Sequence, residues 1–209
     1  MDREAPRPDV TTSSFEFWFE FGSTYSYLSA MRIEPLAAAA GVTITWKPFL
    51  LGPLFQKQGW SDSPFNLYPA RGRYMWRDVE RWCAEYGIPF ARPTQFPRNG
   101  LLAARVALLA AGEPWGPGFA RAVYAANFAE DRDIAAPAVI GAILRSLGQD
   151  AETLLSRAQS PETKQRLRDQ TDEAWRRGIF GAPSFLVGDE LFWGNDRLEQ
   201  ALRWCARPT

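Results

Sequence analysis

Phe15, Phe17, Phe19 and Phe21 recur at every second position, which sets four phenyl rings on one face of a strand and predicts that this face meets the core. Gly22 then permits a sharp turn, and Ser23 falls where a helix N-cap is expected, ahead of the apolar series Tyr27, Leu28 and Met31. The pattern predicts a helix over 24–40 closed by Gly41, with Pro35 kinking it or dividing it. Val42 to Lys47 alternates again as a second strand, parallel to the first in a right-handed βαβ unit. From Pro48 to about Asn66 the chain reads as an irregular loop, rich in Pro, Gly and Ser, that can overhang the Ser23 turn.

The hydrophobic period then lengthens. Helix-length segments over 71–86, 101–111, 119–129, 138–147 and 151–158 follow one another, punctuated by Gly and Pro, with no strand pattern between them. A further helix over 161–177 carries Leu167, Thr171 and Trp175 on one stripe. Ser184 to Val187 and Leu191 to Trp193 read as short strands joined through Gly188-Asp189, and Asn195 or Asp196 is placed to cap a last helix running to about Ala206. The order βαβ, helices, α, ββα is that of a thioredoxin-like α/β fold. Its two halves, 15–66 and 161–209, enclose an all-helical insertion over 67–160, and the polar residues 1–14, with Pro6 and Pro8, are expected to form a disordered tail.

Composition removes several classes of function. The 24 basic and 24 acidic residues cancel, so no bulk field recruits nucleic acid or an anionic membrane. Histidine is absent, which excludes a Ser-His or Cys-His catalytic pair and a histidine-based zinc site, and no metal is expected. Cys83 and Cys205 both lie in helical stretches and read as buried thiols, in keeping with a reducing cytoplasm. No apolar run approaches the roughly 20 residues of a membrane span, and residues 1–14 lack the apolar core of a signal peptide, so a soluble chain is expected.

Candidate chemistry centres on the first turn. In thioredoxin-fold oxidoreductases this strand-to-helix junction carries Cys-x-x-Cys, whose thiolate the helix N-terminus stabilises. Here the slot reads Ser23-Thr24-Tyr25-Ser26, so the site can stabilise a sulfur anion but cannot form a disulfide of its own. The sulfur is then expected from outside, as glutathione. Pro183, just before the third strand, removes a backbone donor at a strand edge, and in this fold a cis Ala182-Pro183 bond would face the Ser23 turn.

The ordered set Phe21-Gly22-Ser23-x-Tyr25-Ser26-Tyr27-Leu28, Lys47-Pro48-Phe49-Leu50-Leu51-Gly52, Arg71-Gly72-Arg73-Tyr74-Met75-x-x-Asp78, Gly181-Ala182-Pro183-Ser184-Phe185 and Phe192-Trp193-Gly194-x-Asp196-Arg197-Leu198 resembles the 2-hydroxychromene-2-carboxylate isomerase family, which is related to the kappa-class glutathione transferases. The resemblance implies that Ser23 donates to a glutathione thiolate. It implies that Ala182, ahead of the cis Pro183, pairs its main chain with the cysteinyl amide, and that Asp196, with Asn195 beside it, holds the γ-glutamyl end. Thr24 stands where the family commonly has Pro, and Gln56-Lys57 where a Lys commonly follows Leu-Phe, which makes Lys57 the candidate for the glycyl carboxylate. A homodimer is also implied.

For an aromatic small-molecule substrate the candidates are Tyr25, Trp46, Trp60 and Asn99, the two tryptophans bordering the expected cleft where they can stack on a ring. Each has a plain alternative: Tyr25 and the tryptophans as packing residues, Asn99 and Asp196 as caps, Pro183 as a turn residue. The expected reaction is glutathione-dependent cis-trans isomerisation, in which a thiolate adds to a conjugated double bond, the resulting single bond rotates, and the thiolate leaves. A transferase that conjugates an electrophile and a non-catalytic glutathione- or peptide-binding module remain as alternatives.

Overall fold

The first strand, β1 (Phe15–Phe19), is buried on both sides, and this is why the rest of the chain is arranged in layers about it. In the computed structural model, which describes residues 14–207, it is joined by β2 (Ile44–Pro48), β3 (Ser184–Val187) and β4 (Glu190–Trp193) in a sheet of order β2-β1-β3-β4. β1 pairs parallel with β2 and antiparallel with β3, and β3 pairs antiparallel with β4. The tail expected over 1–14 lies, apart from Ser14, outside the described residues.

Period-two alternation decides what each face meets. Phe15, Phe17, Phe19, Phe185 and Val187 join one cluster with Tyr27 and Leu28 of α1 (Thr24–Ala30), Ile33 of α2 (Ile33–Ala40) and apolar residues of five following helices. These are α5 (Pro69–Tyr86), α6 (Leu101–Leu109), α7 (Gly116–Phe128), α8 (Pro137–Ser146) and α9 (Ala151–Ala158). On the other face Trp18 and Leu186 pack with Phe49, Leu54, Ala174 and Ile179, under α10 (Pro161–Arg176). The last helix, α11 (Leu198–Cys205), covers β3 and α2.

The expected division of the helix over 24–40 is present, and other expectations are corrected in detail. The helix over 24–40 is divided at Met31-Arg32, so Pro35 sits in the first turn of α2, where its missing N–H has no intrahelical partner to lose. The loop expected over 48–66 instead contains α3 (Leu51–Lys57) and α4 (Pro64–Leu67). Ser63 caps α4 by accepting from the Phe65 amide, and Leu54 anchors α3 in the Trp18 cluster. On α10 the buried stripe is Leu167, Thr171 and Ala174, at helical spacing, while Trp175 is turned outward over Lys57. Neither Asn195 nor Asp196 caps α11: residues Asn195–Arg197 form a 3-10 turn with no side-chain cap. Among the described residues no helix is long and apolar enough to cross a membrane.

α4 and α5 meet at a backbone contact that admits no side chain. A Cβ placed on Gly72 would lie 2.3 Å from the Phe65 carbonyl oxygen, so a methyl group there must drive the two helices apart. In an exposed helix Gly→Ala stabilises by roughly 1 kcal/mol. Gly72→Ala should do the reverse and cost about 1–3 kcal/mol by overpacking. Urea unfolding checks this, and an unchanged or higher midpoint would show that α4 yields without cost.

Candidate active site

Where β1 ends, the chain turns through Gly22 and Ser23 caps α1 in an extended conformation (φ −81°, ψ 115°). The Ser23 hydroxyl accepts from the Ser26 amide at 3.1 Å and donates to the Ala182 carbonyl at 3.0 Å, across the cis Ala182-Pro183 peptide. The turn is also held from the helical side. Tyr124 of α7 donates to the Glu20 carbonyl at 2.9 Å and the Asn127 side-chain amide to the Phe21 carbonyl at 3.0 Å. Asn127 is gripped in turn by the buried Arg98, whose guanidinium reaches its carbonyl and side-chain oxygens and pairs with Asp131.

A cleft of about 1490 Å³ opens above this turn. Leu51, Phe55, Trp60 and Phe65 of the α3–α4 segment form one wall, and Arg71, Tyr74 and Asp78 at the start of α5 continue it. The loop Phe96–Leu101 closes a second side, and Phe180–Ala182 with Trp193–Arg197 closes a third. The walls are mainly apolar, with charge concentrated at a few positions, the character expected of a small-molecule site.

Of the residues singled out from sequence, Ser23, Tyr25, Trp60, Asn99, Ala182, Asn195 and Asp196 line this cleft, and Pro183 lies directly behind Ala182. Tyr25 donates to Asp78 at 2.9 Å, and burial together with that carboxylate raises its phenol well above the ordinary range, so it stays protonated. Asn99 accepts from the Leu101 amide at 2.9 Å at the start of α6, and Trp60 packs on Phe55 with ring centroids 5.6 Å apart. Asn195 is buried and accepts from the Ser29 hydroxyl at 3.0 Å, which ties the 3-10 turn to α1. Asp196 is exposed beside Arg197, their charged atoms 3.5 Å apart.

Two placements differ from expectation. Trp46 is the register partner of Phe17 and packs edge-on against Phe17 and Phe19, so it faces the helical core and a separate cavity of about 330 Å³. The same period-two rule that puts the phenylalanines on that face carries Trp46 with them. Lys57, on the outer side of α3, reaches Asp172 of α10 at 2.8 Å and is not among the cleft-lining residues. The cations that do line the cleft are Arg71, Arg98 and Arg197, and Arg98 is committed to Asp131.

Sequence reasoning passed over Glu20. Its carboxyl lines the cleft, accepts from the Gly22 amide at 2.9 Å, and takes part in none of the ion pairs among the described residues. Burial pushes it up to about 7 against the lowering effect of the Gly22 and Ser23 N–H groups. The available signal was only its place, a carboxylate three residues before the serine, since Glu16 and Glu20 both fall on the polar positions of the alternation.

With this geometry in place, the comparisons are consistent with one another. Residues 15–203 match the DSBA-like thioredoxin domain family. A 2-hydroxychromene-2-carboxylate isomerase of Sphingobium xenophagum is 31% identical over 189 residues, spanning 90% of this chain and 95% of the relative. Glutathione s-transferase kappa 2 of Caenorhabditis elegans is 27% identical over 211 residues, 92% of each chain. A solved structure of 2-hydroxychromene-2-carboxylate isomerase superposes with a TM-score of 0.80 at 28% identity, covering 91% of this chain and 95% of that one.

The raised Glu20 carboxyl has a consequence for stability. Between an ordinary value of 4.5 and about 7 the folded chain holds a proton that the unfolded chain has lost, so stability falls as pH rises through that window and the loss is complete above it. Glu20→Gln stays neutral throughout. Relative to that variant, native protein should lose on the order of 1–3 kcal/mol across the window, read from urea midpoints at several pH values. Parallel stability curves would mean that the carboxyl ionises as freely in the fold as in water.

Proposed function

Because this chain belongs to the DSBA-like thioredoxin domain family and, within it, to the 2-hydroxychromene-2-carboxylate isomerases, we propose that its cleft binds glutathione and uses the thiolate to isomerise a conjugated aromatic carboxylate. The observation that carries this reading is the Ser23 hydroxyl, 3.0 Å from the Ala182 carbonyl at the floor of a large, mainly apolar cleft. Without ligand the hydroxyl hydrogen is spent on that carbonyl. When the cysteinyl amide N–H of glutathione takes over the Ala182 oxygen, the hydroxyl is released to turn toward the sulfur, while the Ser26 amide keeps it in place as acceptor. Binding and activation of the thiol are thereby coupled through one exchange of hydrogen bonds.

The remaining groups suit the rest of the tripeptide. Asp196 and Arg197, side by side, present opposite charges to the amino and carboxylate groups of the γ-glutamyl end. Lys57 is engaged with Asp172, so the cleft-lining Arg71, stacked over the Tyr68 ring at 4.7 Å, takes its place as the cation for a carboxylate of glutathione or substrate. Trp60, Tyr25 and Phe65 offer aromatic surface to a flat substrate, with Asn99 at the opposite rim.

Addition of the thiolate converts the double bond of the substrate to a single bond, rotation follows, and elimination restores both the double bond and glutathione, which therefore acts as a cofactor. Ser23 stabilises the nucleophile and does not itself attack. The kappa-class relative supports a second use of the same thiolate, conjugation of an electrophile, in which the adduct is released. Either reaction fits a cytoplasmic homodimer supplied with reduced glutathione, which light scattering at micromolar concentration tests through the molecular mass.

Ser23→Ala should raise the pKa of bound glutathione by about one to two units, since a hydrogen bond to a charged acceptor is worth roughly 1.5–3 kcal/mol and each unit about 1.4 kcal/mol. Affinity should change little. Ultraviolet absorbance of the thiolate against pH measures the shift, and an unshifted titration with full activity would reduce Ser23 to a helix cap. With Ser23 and Ser26 in place of the paired thiols, the native protein should also show no catalytic reduction of insulin disulfides. Turnover that survives Cys83→Ala and Cys205→Ala would contradict the reading.

A further inference from the structure

A carboxylate set three residues before the thiolate site, inside the same cleft, would repel the thiolate if it carried charge of its own. Glu20 is in that position, and among the described residues no cation pairs with it. The groups around it are neutral or already committed. Tyr124 of α7 donates to the Glu20 main-chain carbonyl, and its phenol, kept protonated by burial and by the nearby Glu20 carboxyl, brings no positive charge. Arg98 lies close by through its backbone carbonyl, 3.3 Å from where a Cβ on Gly22 would stand, but its guanidinium is turned away to Asn127 and Asp131. At the N-cap of α1 the Ser23 hydroxyl is bonded to Ala182, and the Ser23 N–H acts on the carboxyl as a neutral donor.

Space is kept clear for this carboxyl. A Cβ on Gly22 would come within 3.1 Å of one Glu20 oxygen, and a Cβ on Gly100 within 3.4 Å of the other and 2.8 Å of the Phe21 Cβ. Two glycines thus frame a side chain that is sheltered by protein yet open to the cleft. The Gly22 amide donates to one oxygen at 2.9 Å, the Ser23 N–H also acts on the carboxyl, and the other oxygen lies on the Gly100 side of the cleft.

We propose that Glu20 is the proton-transfer group of this cleft, taking the proton of the bound thiol and lending it to the substrate oxygen that gains charge when the thiolate adds. The inference rests on the glutathione reading above. The S–H bond breaks and a carboxyl O–H forms, so the site holds one negative charge, on sulfur. The sulfur electron pair then bonds to the conjugated carbon, the displaced π pair moves to the carbonyl oxygen, and that oxygen takes the proton from Glu20 to give an enol. After rotation the enol O–H returns its proton to Glu20, the C–S bond breaks, and thiolate and product are recovered with no net change. The thiol and the carboxyl act as a pair that shares one proton, and a carboxyl held near neutrality by burial is matched to that exchange.

Calorimetry of glutathione binding in buffers of different ionisation heat counts the protons released. In the native protein the count should fall from close to one near about pH 6, where Glu20 is already protonated, to close to zero by about pH 8, where Glu20 absorbs the thiol proton. Glu20→Gln should release close to one across the same range. A native count that stays near one up to about pH 8 would overturn the proposal without any variant, as would identical counts in native and Glu20→Gln protein. With 2-hydroxychromene-2-carboxylate as probe, Glu20→Gln should lower kcat about 100-fold or more, leave the KM for glutathione within a few fold, and remove the alkaline limb of the kcat profile, where the shared proton is lost, with Glu20→Asp restoring part of it. Absence of any binding heat with native protein would remove the glutathione reading and this inference together, whereas binding with normal thiolate formation and an unaltered proton count would remove this inference alone.

Discussion

The site depends on how the turn after β1 is held. A strand that ends in a buried turn exposes carbonyl oxygens which the sheet no longer satisfies, and each must find a donor or cost stability. Here the Glu20 and Phe21 carbonyls accept from Tyr124 and Asn127 of α7, residues more than a hundred positions away in sequence. The Ser23 hydroxyl then fastens the first turn of α1 to Ala182 from the opposite side. With main-chain atoms fixed from both flanks, a serine hydroxyl and a glutamate carboxyl are presented to the cleft in a constant relation. Precision of this kind is what the proposed thiolate site requires, since a hydrogen bond weakens steeply once its angle falls far from linear.

This makes the helical segment more than a spacer. α7 supplies both donors to the turn, Arg98 and Asp131 brace the donor Asn127, and the loop carrying Arg98 also forms a wall of the cleft. The opposite wall, α3 and α4, is attached differently. Leu54 is buried under the sheet, while the Gly72 contact with Phe65 locks α4 to α5 by backbone. One wall is therefore anchored by polar bonds to the strand end and the other by packing. The two meet across the aromatic surface of Trp60, Phe65 and Tyr25.

Electrostatically the cleft is economical. It contains few charges, and most have local partners: Asp78 with Tyr25 and Arg81, Arg98 with Asp131, Asp196 with Arg197. Among the described residues Glu20 takes part in no ion pair and is held only by backbone N–H groups, and Arg71 is held by an aromatic ring. In a protein of zero formal net charge these local imbalances, and no global field, select what the cleft receives.

Much of the outcome was legible in the chain because it rests on local rules. Alternating phenylalanines announce a buried strand, a glycine and a serine announce a turn and a cap, and a Pro before a short strand marks the site opposite; the structure places Ser23 and Ala182 3.0 Å apart as those patterns suggest. The residues that could not be placed are those whose role depends on what lies across from them. Trp46 follows the phenylalanines to the helical face because the β1–β2 register pairs it with Phe17, and a one-residue difference in register would have turned it over. Lys57 is drawn to Asp172, whose proximity exists only once α10 packs on α3. Glu20 looks like an ordinary polar position in the alternation. By itself the sequence determined the order of the strands, the turn and the serine at its tip. Only the tertiary structure decided which side chains share the cleft and what charge Glu20 carries there, because desolvation is the work of distant segments folded over it, a property no stretch of chain possesses alone.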